Sequence, residues 1–178
     1  MNYAQIRSLD LSNGEGVGIA LFVQGCHFHC PNCFNPETWD YNGGKEWTEE
    51  VKNKFLELAN RPYIKRISIL GGEPLADENL DDVLDLVNRI RLSIPQKSIW
   101  LYTGFIWEEI RKGNMEDGLK YGDWTKRAKI ITECDVMIDG RYIDLQRDIS
   151  LPWRGSKNQR VIDIKKTLQK GEVVLYSK

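Results

Sequence analysis

The chain has 178 residues, with 25 basic side chains against 26 acidic ones and a formal charge of −1. A chain of this length buries roughly 70% of its unfolded surface, enough for one core without staples, and balanced charge speaks against nucleic acid, whose binders carry a basic excess. No apolar run approaches the roughly 20 residues that span a bilayer, and no signal-peptide pattern opens the chain, so a cytoplasmic protein with reduced cysteines and no membrane partner is expected.

In chain order, residues 17–24 form the first apolar run rich in strand formers, and it stops at Gly25. The run Cys26-His-Phe-His-Cys30-Pro-Asn-Cys33 follows at once. Three thiolates on one short loop can hold three corners of a 4Fe-4S cube, leaving the fourth iron without a protein ligand and open to a small molecule. Two alternatives stand beside this. His27 or His29 can join the thiolates in a tetrahedral zinc site, although structural zinc usually takes two separated ligand pairs and no second pair occurs downstream. Cys134, the remaining cysteine, can close a cluster as fourth ligand, although a lone cysteine at the head of an apolar strand is ordinarily a small buried hydrophobe.

Thr48 precedes two glutamates, and Val51, Phe55, Leu58 and Ala59 then share one helical face. Residues 67–70 make a short strand that ends in Gly71-Gly72-Glu73-Pro74, after which Leu80, Val83, Leu84, Val87 and Ile90 recur at helical spacing. The two glycines let backbone approach a ligand closely, and exposed carbonyls with the Glu73 carboxylate can accept bonds from an ammonium group. The plainer reading is a tight turn in which Pro74 starts the helix. Ser98 to Tyr102 reads as another strand, residues 107–112 and 124–132 as helical stretches, and 136–138 as a strand ending at Asp139-Gly140. The tail from Trp153 has no clear element beyond a candidate edge strand over 173–176. The six tryptophans are read as core or rim packing.

Strands alternating with helices imply an α/β fold with right-handed crossovers. A full eight-unit barrel takes about 250 residues, so the expectation is an open, partial parallel β/α barrel or a mostly parallel sheet of four to six strands. Residues 1–178 would form one domain, with 153–178 as a C-terminal extension. Ligands in such folds collect at the carboxyl ends of the strands, where the cysteine loop, the Gly-Gly-Glu-Pro turn, Tyr102-Thr103-Gly104 and Asp139-Gly140-Arg141 all fall.

The spacing Cys26-x3-Cys30-x2-Cys33, followed by a strand-ending Gly-Gly-Glu-Pro, resembles the radical S-adenosylmethionine enzymes. The runs Asn13-Gly-Glu-Gly16, Gln24-Gly-Cys26 and Cys33-Phe-Asn-Pro-Glu-Thr-Trp-Asp40 resemble the short activating enzymes that install glycyl radicals. The tail Trp153-Arg-Gly-Ser-Lys-Asn-Gln-Arg160 is similar to those that serve anaerobic ribonucleoside-triphosphate reductases. The resemblance runs from about residue 10 to 163 and implies a definite chemistry. A 4Fe-4S cluster on Cys26, Cys30 and Cys33 would pass one electron, drawn from a donor such as flavodoxin, to S-adenosyl-L-methionine. The resulting 5′-deoxyadenosyl radical would take hydrogen from a glycine in the large subunit of the reductase. Backbone of Asn32, Cys33 and Phe34 would touch the adenine, and Gly71, Gly72 and Glu73 the methionine amino group, with no acid, base or nucleophile needed beyond the cluster ligands. Relatives often carry an aromatic residue where Asn32 stands, so Phe28 or Phe34 would supply a ring instead. They also often carry Pro and Arg where this chain has Glu15 and Gly18. Within the resemblance, a different glycyl-radical partner of the pyruvate formate-lyase type or a small-molecule substrate is the alternative. A non-catalytic iron-sulfur or zinc module is the alternative from another class.

Overall fold

The computed structural model describes residues 1–113 and 122–177; of the expected single domain, 114–121 and 178 lie outside the described residues. A seven-stranded sheet organises the chain: β1 (Asn2–Asp10), β2 (Gly18–Val23), β3 (Lys45–Glu46), β4 (Arg66–Gly71), β5 (Ser98–Tyr102), β6 (Val136–Asp139) and β7 (Arg160–Asp163), in the spatial order β3-β1-β2-β4-β5-β6-β7. The inner four, β2, β4, β5 and β6, are parallel, with Gly18 beside Arg66, Arg66 beside Ser98 and Trp100 beside Val136. The outer pairings, β3 on β1, β1 on β2 and β7 on β6, are antiparallel. The sheet is mixed, open, and wider than the four to six strands expected.

Helices make the crossovers. After β3, α1 (Glu49–Ala59) leads to β4; α2 (Leu80–Ser93) joins β4 to β5; α3 (Trp107–Lys112) and α4 (Trp124–Thr132) lie between β5 and β6; α5 (Ile164–Lys170) follows β7. The Thr48 side chain accepts the Val51 amide at the start of α1, as its sequence position predicts, and Asp123 and Asp163 do the same for α4 and α5. Pro74 starts no helix: five residues of turn and bend intervene before α2 begins at Leu80. Residues 173–176 make one bridge, Leu175 to Ile162, in place of an edge strand.

The period of two along each strand separates two environments. Ile19, Leu21, Ile67, Ile69, Ile99, Leu101 and Met137 share the main core with helix residues such as Phe55, Val87 and Ile130. Their neighbours Ala20, Phe22 and Leu70 face the other way and meet Tyr102, while Trp100, Val136 and Ile138 are covered by Trp153 and Tyr176 of the tail. The helices therefore cover one face. The opposite face is covered by the tail at one side and opens into a cavity at the other.

A buried ion pair closes the base of β4. Arg66 and Asp10 are each about 1% exposed and meet at 2.9 Å. The guanidinium also donates to the carbonyls of Asn13 at 2.6 Å and Glu15 at 3.2 Å. The Asn13-Gly-Glu-Gly16 run thus wraps a buried cation. A Cβ on Gly18 would lie 2.6 Å from that guanidinium, so the buried cation leaves room for glycine at this position.

Candidate metal centre

The cysteine loop leaves β2 and is tied down on both sides. The Gly25 amide donates to Thr38 carbonyl at 2.8 Å, Cys26 to Trp39 at 3.1 Å, and the Glu73 amide returns to the Gly25 carbonyl at 2.7 Å. Between these anchors a turn brings the Cys33 amide to the Cys30 carbonyl at 3.1 Å. Asn32 sits in that turn at φ 55°, a left-handed conformation that asparagine tolerates and a bulky aromatic does not favour. The turn conformation thus gives a local reason for asparagine at this position.

Cys26, Cys30 and Cys33 all line one cavity of about 460 Å³, together with Phe28, Phe34, Gly71, Gly72, Glu73 and the Tyr102-Thr103-Gly104 turn. The four strand-end segments expected to converge do so, since Gly140 and Arg141 line it as well. Asn32 does not line it; its amide group donates to Asp144 Oδ2 at 2.8 Å. Burial, then the Glu73 carboxylate, pushes the Cys26 thiol up to about 12, and burial followed by the neighbouring Cys33 raises Cys30. Such thiols stay protonated unless a cation compensates them, as a bound metal does.

Gly71 has φ +108°, and a Cβ there would lie 2.7 Å from the Phe22 Cα. Only glycine allows β4 to turn this tightly against β2. Glu73 is about 1% exposed and its carboxylate is engaged by the chain itself. Oε1 accepts the Leu75 amide at 2.8 Å and the Thr103 hydroxyl at 2.7 Å, and Oε2 the Gly104 amide at 2.7 Å. Burial pushes this carboxyl up to about 7 against the pull of those donors. Its visible work is to staple the turn after β4 to the turn after β5.

Neither alternative for the thiols is brought to the cavity. Cys134 is fully buried, donates its thiol to the Ile130 carbonyl at 3.2 Å and belongs to the main core at the amino end of β6, away from the cavity. Neither histidine lines the cavity: His27 lies against Phe28 and Phe105 with Nδ1 3.4 Å from the Tyr41 hydroxyl, and His29 stacks on Trp39 at 4.7 Å. Among the described residues no three His, Cys, Asp or Glu side chains converge on a single ion. Three thiols lining one cavity suit a cluster, which offers a separate iron corner to each.

The sequence reading missed several cavity residues. Phe22 and Leu70 reach it from inside strands and were detectable by their period-two position facing away from the helices. Arg7, Tyr142 and Gln159 come from segments that carried no periodic signal.

The open sheet with a strand-end thiol cavity defines an α/β iron-sulfur protein, and residues 12–162 match the family model described as a 4Fe-4S single cluster domain. Over 163 residues the chain is 37% identical to the anaerobic ribonucleoside-triphosphate reductase-activating protein of Escherichia coli K12, covering 90% of this chain and 97% of the relative. Proteins of the same name from Vibrio cholerae (37% over 161 residues, 89% and 96% covered) and from phage T4 (34% over 165 residues, 90% and 93%) are also similar. The chain belongs to the family of anaerobic ribonucleoside-triphosphate reductase-activating proteins.

Proposed function

We propose that this chain activates an anaerobic ribonucleoside-triphosphate reductase by generating a glycyl radical on its large subunit, using a 4Fe-4S cluster held by Cys26, Cys30 and Cys33 and S-adenosyl-L-methionine at the open iron. The observation that carries the reading is the shared cavity: three thiols of one loop and the Gly71-Gly72 turn line it together, beyond the carboxyl ends of parallel strands. When bound, the cluster and S-adenosyl-L-methionine together supply a one-electron reductive cleavage and a carbon-centred radical that takes hydrogen from the target glycine.

The chain's own residues bind, orient and shield. Backbone carbonyls of Gly71 and Gly72 receive the methionine ammonium, and Glu73, spent on bracing two turns, holds those carbonyls in place. Phe34 and the backbone at Cys33 form the side for the adenine, with Phe28 as a second ring, and Asn32, outside the cavity, shapes the turn that carries them. The apolar wall from Phe22, Leu70 and the ring of Tyr102 keeps water from the reacting atoms. We read the open sheet as part of a β/α barrel within one domain, whose missing wall admits a protein loop. Flavodoxin or a similar low-potential carrier is the donor. Among the described residues no helix is long and apolar enough to cross a membrane, and the proposed site of action is the cytoplasm.

Anaerobic reconstitution tests the reading: about four irons per chain are expected, with 5′-deoxyadenosine and methionine formed on adding dithionite and S-adenosyl-L-methionine. Mixing with the reductase large subunit should then give the doublet of a glycyl radical by electron resonance. One tightly held zinc and no cleavage would overturn it.

A further inference from the structure

The tail segment 154–160 carries the Arg-Gly-Ser-x-Asn-Gln-Arg run, to which the chemistry above gives no part. In the structure it is the far half of an interlocked pair of loops. Arg160 anchors one end: its Nε donates to Asp139 Oδ1 at 3.0 Å, and its two terminal nitrogens reach Glu108 at 3.0 and 2.7 Å. Gln159 donates to the Gly140 carbonyl at 3.0 Å, and Asn158 to the Arg141 carbonyl at 2.8 Å. The Gln159 oxygen accepts the amides of Gly155 and Ser156 at 3.0 and 3.2 Å, folding the tail into a turn. The buried Ser156 hydroxyl accepts the Ile143 amide at 3.2 Å. The bonds to Gly140, Arg141 and Ile143 fall on the segment that follows β6, while those of Arg160 tie the tail to β6 itself and to α3.

That segment in turn grips the cysteine loop. Asp144 accepts from Asn32 at 2.8 Å and from the Tyr142 hydroxyl at 2.7 Å, the Tyr142 and Phe34 rings lie 5.0 Å apart, and the Arg141 guanidinium sits 4.4 Å over the Phe28 ring. The tail also touches the loop directly. A Cβ on Gly155 would lie 2.5 Å from the Phe34 ring, so glycine there leaves room for that ring. Backbone hydrogen bonds on a loop cost little to break singly, but a set that shares one segment loosens together.

We infer that Gly155, Ser156, Asn158, Gln159 and Arg160 are positioning residues for the metal centre: through the 140–144 segment they hold the cysteine loop, and with it the spacing of Cys30 and Cys33 and the placement of Phe34. The inference rests on the proposed role of the thiols, and its test is chosen to be read without a cluster. Gln159→Glu is the informative variant. It keeps the oxygen that accepts from Gly155 and Ser156 and loses the donor to the Gly140 carbonyl, so it separates the tail's own turn from its grip on 140–144.

In the metal-free chain, Gln159→Glu should speed amide hydrogen exchange at 140–144 and 32–35 about tenfold and raise the alkylation rate of Cys30 and Cys33. Exchange in β2, β4 and β5 should not change. Gly155→Ala should accelerate 32–35 by displacing Phe34. Lys157→Ala, at a side chain 67% exposed, is the control expected to move nothing. After reconstitution, Gln159→Glu should keep its iron, raise the KM for S-adenosyl-L-methionine more than it lowers kcat, and change the electron-resonance line shape when the nucleoside is added. Acceleration confined to 154–160, or none, would overturn the inference; a tail that serves only to dock a partner gives that result. Failure of the wild-type chain to cleave S-adenosyl-L-methionine would remove the proposed function and leave the exchange result standing.

Discussion

Two cysteines separate at the level of single residues, because one lines a cavity and the other fills a core. Cys30→Ser should abolish stable iron loading with little change in the urea midpoint, since the thiol is half-exposed on a loop. Cys134→Ala should load as much iron as the wild type and lose about 1–2 kcal/mol of stability, from the small void and the lost contact to the Ile130 carbonyl. Iron analysis and urea titration of the two variants check both halves. A full iron complement in Cys30→Ser, or its loss in Cys134→Ala, would show that the wrong thiols have been assigned. The three cavity cysteines and the glycines at 71 and 72 could be read from the chain because spacing on a short loop and a turn at a strand end are local facts. The carboxylate of Glu73 was legible only in part. Its type and place suggested an acceptor for a ligand, but its partners Thr103 and Gly104 are thirty residues away, and only the sheet brings them to it.

Elements were legible where both faces are buried. The continuous apolar runs of β2, β4 and β5 stand out because parallel inner strands have no solvent side. The strand β1 escaped notice for the converse reason: much of it is half-buried or exposed, Leu9 at 60%, and its pairing with β2 slips at two bulges. The four-residue β7, with two buried apolar side chains, exists only through its antiparallel register on β6. The cation that holds β1 to β4 was likewise invisible, since nothing local marks Arg66 as buried. Removing it leaves the buried Asp10 carboxyl without its guanidinium partner, so Arg66→Met should cost about 3–5 kcal/mol. Asp10→Asn in the same chain should recover part of that loss. A double-mutant cycle by urea unfolding measures the coupling, and strictly additive losses would mean that the pair does not interact.

Across the whole molecule, Asp135 links parts that are far apart in sequence. Its Oδ2 accepts from Arg91 in α2 and from the Ile99 amide in β5, each at 2.8 Å, while Oδ1 meets Lys165 of α5 at 2.6 Å. Burial pushes this carboxyl up, but the bonds from Arg91, Lys165 and Ile99 outweigh it and hold it below the ordinary aspartate value of 3.8. A carboxyl depressed in the folded state adds stability that is present above its unfolded pKa and disappears as pH falls through the folded one. The native protein should therefore lose stability steeply on acidification below about pH 4. Asp135→Asn should flatten that limb and lower stability at pH 7 by about 1–3 kcal/mol, because the Arg91 guanidinium and the Ile99 amide lose a charged acceptor. Urea midpoints followed from pH 7 down to pH 3 distinguish the outcomes: a variant curve parallel to that of the wild type would place the acid sensitivity elsewhere. The tail helix α5 adds a second readout. Lys165 is 72% exposed, so its ion pair contributes little by itself. Lys165→Ala should accordingly leave the acid limb nearly as steep as in the wild type, with the larger share carried by Arg91 and the backbone amide.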